Sequence, residues 1–71
     1  MPDTAVRDKN YDLLNVVHSS LHNVWMLEGY IADAEKEGDD ELAHWLRKVQ
    51  ENNQKAGEQG KQMLLTRLSN H

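Results

Sequence analysis

Three groups of side chains in this 71-residue sequence have types and spacings suited to metal binding. His18 and His22 are four residues apart, a spacing that lets two imidazoles on one helix face share a metal ion. Glu41 and His44 form a Glu-x-x-His pattern, which carries a carboxylate and an imidazole on one helix face. Glu28 lies within a run of aliphatic residues. A helical wheel distinguishes metal binding from structural roles for these residues.

The wheel favours structural roles for the histidines. His44 falls about 160° from Leu42 and so on the solvent side, while Glu41 lies in a first helical turn, where a carboxylate favours the helix dipole. We therefore interpret them as a cap-region acid and an exposed histidine. His18 and His22 lie at the edge of an apolar stripe without a third ligand nearby, which favours boundary positions on the core rim. The alternative that we retain is a metal site formed where the two histidine pairs of a dimer meet.

Glu28 falls near the centre of the apolar stripe, about 40° from Val24. Asn53 takes the equivalent place on the following helix. A carboxylate among aliphatic side chains is costly unless it is hydrogen-bonded. We predict a buried polar network of Glu28, Gln50 and Asn53 that fixes register and oligomeric state. The alternative is a metal site at the centre of a bundle, which is disfavoured because no histidine shares that face at that level.

The length of 71 residues allows one domain, and a hydrophobic content of 38% with a mean hydropathy of −0.84 allows only a thin core. The absence of cysteine excludes disulfides and thiolate metal sites. No apolar run approaches the ~20 residues of a membrane span, and no signal-peptide pattern is evident. These features predict a cytoplasmic protein.

The charge distribution gives no support for nucleic-acid binding. The net charge is −4, and residues 1–37 contain seven acids and three bases, whereas residues 38–71 contain five of each. No basic stripe exists to neutralise phosphates, so neither nucleic acid nor an anionic membrane surface is an expected partner. No nucleophilic triad or glycine-rich phosphate loop is recognisable, so no enzymatic activity and no cofactor are predicted.

Apolar residues recur at steps of three and four along two segments, which indicates two amphipathic helices. The first is predicted from about residue 4 to 37, with Pro2, Asp3 or Thr4 near its start. Gly38 is the expected stop, and Asp39 or Asp40 the expected cap of a second helix over about 40–68. The turn at 38–40 is too short for anything but an antiparallel hairpin, and the last residues from Ser69 should fray.

A two-helix hairpin has nothing of its own to cover its apolar side. Two hairpins packed face to face make a four-helix bundle, so we expect a homodimer. The predicted interface comprises apolar residues of both stripes: Leu14, Val17, Leu21, Val24, Trp25, Ile31, Leu46, Val49, Met63 and Leu64.

Gly57 and Gly60 interrupt the second predicted helix at a cost of roughly 1 kcal/mol each relative to alanine. With Ala56 they form a strip of small residues on or beside the apolar face. Counted outward from the turn, the strip lies opposite Val17 and Leu21. We predict that it allows close helix approach; a frayed or kinked segment is the alternative.

The segment Tyr30-Ile-Ala-Asp-Ala-Glu-Lys-Glu-Gly38, followed by Glu41-Leu42-Ala43 and Leu46, resembles the helical hairpin of ferritin-like proteins of the rubrerythrin type. The similar region covers roughly residues 20–57. In that family a glutamate on the first helix and a Glu-x-x-His on the second hold a di-iron centre. Aligned on Gly38, those positions carry Ser20 and Asn53-Gln-Lys-Ala56 here. The resemblance therefore implies half of a ferritin-like four-helix bundle without its iron chemistry.

These observations predict an all-α, non-catalytic hairpin that acts through self-association or a protein partner. One alternative is a metal-binding dimer that uses Glu28 or the His18 and His22 pair. Another is a small acidic protein that blocks the nucleic-acid surface of a partner.

Overall fold

Two long helices joined by a tight turn make up the whole of the described structure, a computed structural model that covers residues 8–69. Helix α1 spans Lys9–Lys36 and helix α2 spans Asp40–Ser69. The hairpin measures 52 × 26 × 13 Å, so it is a single layer of two antiparallel helices. The predicted all-α hairpin is confirmed. Within residues 8–69, neither helix is long and apolar enough to cross a membrane.

Helix α1 begins later than predicted. Asp8 has an extended backbone, with φ −117° and ψ 121°, and its carboxylate accepts a hydrogen bond from the Asn10 amide at 2.9 Å. This is N-cap geometry, in which the side chain satisfies a backbone donor that no earlier helical turn could satisfy. The helix described here therefore starts at Lys9. The predicted start at Pro2, Asp3 or Thr4 lies outside the described residues.

The turn is formed as the sequence predicts. Gly38 has φ +72°, the left-handed conformation in which glycine has no steric penalty. The Asp39 amide donates to the Ala34 carbonyl at 2.9 Å, and the Asp39 carboxylate accepts from the Leu42 amide at 3.1 Å. Asp39 is therefore the cap of α2, which decides between the two predicted aspartates. Ser69 is helical, while the other residues predicted to fray, 70–71, lie outside the described part.

Alanine substitution should have opposite effects on stability at Gly38 in the turn and at a glycine inside a helix. Gly38→Ala is expected to lower the free energy of unfolding by about 1–2 kcal/mol, because alanine pays a steric cost in the left-handed region. Gly29 is the matched control: it lies inside α1, and a Cβ there would meet nothing within 4 Å. Gly29→Ala should instead raise stability by up to about 1 kcal/mol. Urea denaturation measures both, and a shift of equal sign would contradict the assignment.

The core between the helices is narrow. Its buried hydrophobic side chains are 2% to 7% exposed, and they are Val17, Leu27, Ile31, Ala34 and Ala43. Leu14 and Trp25, placed on the α1 stripe by the sequence, are 47% and 72% exposed. The packed side of α1 is rotated away from them, because α2 lies against the side that carries Leu27 and Ala34. The stripe of α1 is wider than one partner helix can cover.

The two helices approach closely at Gly57 and Gly60. A Cβ at Gly57 would lie 2.8 Å from Cγ of Leu21, and one at Gly60 would lie 2.6 Å from Cγ2 of Val17. Both separations are under the 3.0 Å below which a neighbouring atom must shift. The predicted close approach opposite Val17 and Leu21 is confirmed, and α2 continues unbroken through both glycines. Ala56 is exposed, so it was wrongly included in the strip.

Candidate functional site

The hairpin exposes many large apolar side chains. Within residues 8–69, ten large hydrophobic side chains are 42% to 72% exposed: Tyr11, Leu14, Val16, Trp25, Tyr30, Leu42, Trp45, Met63, Leu65 and Leu68. They include both tryptophans and both tyrosines of the chain. The buried hydrophobic set contains five side chains, none of them aromatic. Most of the apolar surface therefore lies outside the intrachain core, as is typical of proteins that associate.

The structure divides the predicted interface residues into three groups. Val17 and Ile31 are buried between α1 and α2 of the same chain, so their assignment to an intermolecular interface is corrected. Leu14, Trp25 and Met63 are exposed. The remaining five are half-buried at the edges of the core: Leu21, Val24, Leu46, Val49 and Leu64. The predicted interface omits the other seven exposed large hydrophobic residues: Tyr11, Val16, Tyr30, Leu42, Trp45, Leu65 and Leu68.

His18 and His22 form a stacked pair on α1. Their ring centroids are 5.9 Å apart with an interplanar angle of 6°, and the His22 ring lies 5.8 Å from that of Trp25. The pair offers two metal ligands on an exposed surface. Glu28 is ten residues from His18, about 15 Å along the helix axis, so one chain does not bring the three predicted ligands together. Residues 8–69 contain no group of three or more His, Asp or Glu that could hold a metal ion.

The predicted polar network is present only in part. The Gln50 side-chain amide donates to the Glu28 carboxylate at 2.9 Å and to a backbone carbonyl of α1 at 3.0 Å. Glu28 is exposed in the single chain, so its predicted burial is corrected. Asn53 does not join this contact. It accepts from the Asn23 amide at 3.5 Å and donates to a backbone carbonyl of its own helix at 2.9 Å.

Charged contacts lie on the surface and contribute little to stability. Arg47 pairs with Glu35 across the two helices, and Lys61 pairs with Glu58 at 3.5 Å within α2. Exposed pairs of this kind are worth at most about 1 kcal/mol. Glu41 and His44 are both exposed, as the helical wheel predicts.

Comparison with known proteins adds no family assignment. No protein-family model, curated protein or solved structure matches the chain.

Proposed function

We propose that this chain is a non-catalytic helical hairpin that acts by self-association, as a homodimer whose two hairpins form a four-helix bundle. The observation that carries the proposal is the distribution of apolar side chains. All four aromatic side chains are exposed, whereas three aliphatic side chains and two alanines make up the buried hydrophobic set. A second copy would cover the surface that one hairpin leaves in water.

Energetics supports the same conclusion. A chain below about 70–80 residues rarely obtains more than about 3–5 kcal/mol from a single core. This hairpin has no large side chain with less than 2% exposure among its described residues, and it has no cysteine to supply a disulfide. Burial of further apolar surface contributes about 25 cal/mol per Å², which an intermolecular interface can supply.

The proposed bundle is ferritin-like in architecture and does not have the iron chemistry of that family. The position of the first glutamate ligand carries Ser20, which is half-buried, and the position of the second carries Asn53, which is bonded to Asn23. A hydroxyl and an amide at these positions do not supply the bridging carboxylates of a di-iron centre.

The first test is the mass of the protein in solution. We expect a dimer at micromolar concentration, with helicity that falls on dilution because association and folding are linked. Sedimentation equilibrium and circular dichroism over a dilution series measure both quantities.

Two outcomes would contradict the proposal. A compact, fully helical monomer at micromolar concentration would show that the apolar surface does not bind a second copy and would favour a different protein partner. A dimer that forms only with added Zn²⁺ and dissociates with EDTA would favour the metal-binding alternative at His18 and His22.

A further inference from the structure

The two broad faces of the hairpin differ in charge. On one side, α1 carries a row of residues at steps of four and three: Val16, Ser20, Asn23, Leu27, Tyr30 and Ala34. Leu27 and Ala34 in this row are buried against α2, and Val16 and Tyr30 are its exposed large side chains. On α2 a matching row runs at steps of three and four: Leu42, Trp45, Val49, Asn52, Ala56, Gln59 and Met63. Neither row contains a charged residue. We call these two rows together the uncharged face.

Contacts between the helices show that the two rows share one side of the hairpin. Asn23 bonds to Asn53, which is adjacent to the α2 row. One surface groove near the turn is lined by Tyr30, Ala34 and Leu42 together, and Asp33, Glu37 and Asp39 form its acidic rim at the turn end of the face. The other broad side, the charged face, carries the Arg47–Glu35 pair and the Gln50–Glu28 bond. By helix periodicity, Glu51, Glu58 and Lys61 also lie there.

We propose that a second copy of this chain docks on the uncharged face, with the two-fold axis crossing both helices near Asn23 and Asn53, so that the two hairpins run antiparallel. This inference rests on the proposed self-association and specifies its surface and its orientation. Depletion of charge at the centre of an interface is the compositional signal that distinguishes interfaces from ordinary surface.

The spacing of large residues along the face fits this axis. Val16 and Tyr30 each lie seven residues from Asn23, about 10 Å to either side along α1. On α2, Leu42 and Met63 lie eleven and ten residues from Asn53, about 15 Å to either side. The two-fold operation therefore sets Tyr30 of one copy against Val16 of the other. It likewise sets Leu42 against Met63 of the second copy.

The size and the centre of the face are those of a stable interface. The rows extend about 27 Å along α1 and about 32 Å along α2. Across the 26 Å width of the hairpin, this area is close to the roughly 800 Å² that each partner of a standard interface contributes. Asn23 and Asn53 lie at its middle, and the large apolar residues lie toward both ends. In the proposed register the two-fold axis sets each of these amides against its own copy, and polar groups paired in this way can fix the register of an interface.

The acidic turn selects the antiparallel orientation. Residues 33–41 contain six acids and one lysine. A parallel dimer would bring two such segments side by side at the same end of the bundle. The antiparallel dimer separates them by most of the 52 Å length of the hairpin, far beyond the roughly 8 Å screening length at physiological salt.

The two tryptophans provide a matched test of the face. Trp45 lies on the uncharged face and is 59% exposed, whereas Trp25 lies on the charged side of α1 and is 72% exposed. We expect Trp45→Glu to raise the dimer dissociation constant at least about 30-fold, the effect of removing a buried tryptophan anchor. Trp25→Glu should change it less than about threefold. Sedimentation equilibrium measures both.

A distance measurement tests the orientation. Because Glu41 lines a groove with Leu42 and Trp45, the dissociation constant of the labelled protein is measured as its control. The chain has no cysteine, so Glu41→Cys, at an exposed position in the first turn of α2, provides a single site for a spin label. Glu41 lies twelve residues from Asn53, which predicts roughly 35 Å between the labels of an antiparallel dimer. A parallel dimer would give less than roughly 20 Å, given helix separations of about 10 Å.

The outcomes separate the two proposals. A monomeric wild-type protein would overturn both. A wild-type dimer that Trp25→Glu disrupts and Trp45→Glu leaves intact would overturn the uncharged face alone, while self-association would stand. A short distance between labels at position 41 would overturn the antiparallel orientation.

Discussion

Gly57→Leu is expected to lower the free energy of unfolding by about 3 kcal/mol, the upper part of the range for overpacking. The first atom of the new side chain would already lie 2.8 Å from Cγ of Leu21, and three further carbons would have to fit between the helices. The gain in helix propensity, up to about 1 kcal/mol relative to glycine, is smaller than this cost. Chemical denaturation at fixed protein concentration measures the change.

Gly29→Leu is the control for helix propensity. Gly29 is also inside a helix, but it is exposed and a Cβ there would meet nothing within 4 Å. Its replacement should leave stability unchanged or raise it by up to about 1 kcal/mol. A stabilised Gly57→Leu variant would show that the two helices can move apart with little loss of free energy. Glycine would then not be required at this position.

Ile31→Ala should also cost about 3 kcal/mol, within the range for truncation of a buried aliphatic side chain. Ile31 is 7% exposed and is one of three large aliphatic side chains in the core, so few neighbours remain to fill the cavity. If the free energy of unfolding of a small protein is about 5 kcal/mol, such a loss removes most of it. Thermal and urea denaturation should both show it.

Leu65→Ala is the comparison for Ile31→Ala. Leu65 is 59% exposed and lies outside the uncharged face, so its truncation should change stability by no more than about 0.5 kcal/mol. Equal losses for the two variants would mean that Leu65 is covered in the assembled protein, which would place a protein contact on its side of the hairpin.

Both predictions follow from the thinness of the hairpin. One layer of two helices brings the helices together at small residues, Ala34 and Ala43 near the turn and Gly57 and Gly60 farther out. Close approach of the backbones leaves little room for large side chains between the helices. The aromatic side chains therefore remain on the outer faces, where a second copy can cover them.

The sequence by itself determined the features that depend on neighbouring residues. The helix termini at the turn follow from Gly38, which tolerates a positive φ, and from the aspartates at 39 and 40, either of which can cap α2. The structure decided that Asp39 is the cap. The pairing of Gly57 with Leu21 follows by counting outward from this turn, because antiparallel helices with a short connection have one register. The absence of charge along the two rows is likewise visible in the printed sequence.

The tertiary structure decided which part of each apolar stripe is buried. A stripe that includes Leu14, Trp25 and Leu27 is wider than the contact with one helix, and periodicity does not say which edge meets the partner. Packing against α2 buries Leu27 and leaves Trp25 and Glu28 exposed. The two uncharged rows become one surface only because the relative rotation of the helices places both on the same side of the hairpin. That rotation is set by contacts between residues far apart in the chain, such as Gly60 with Val17.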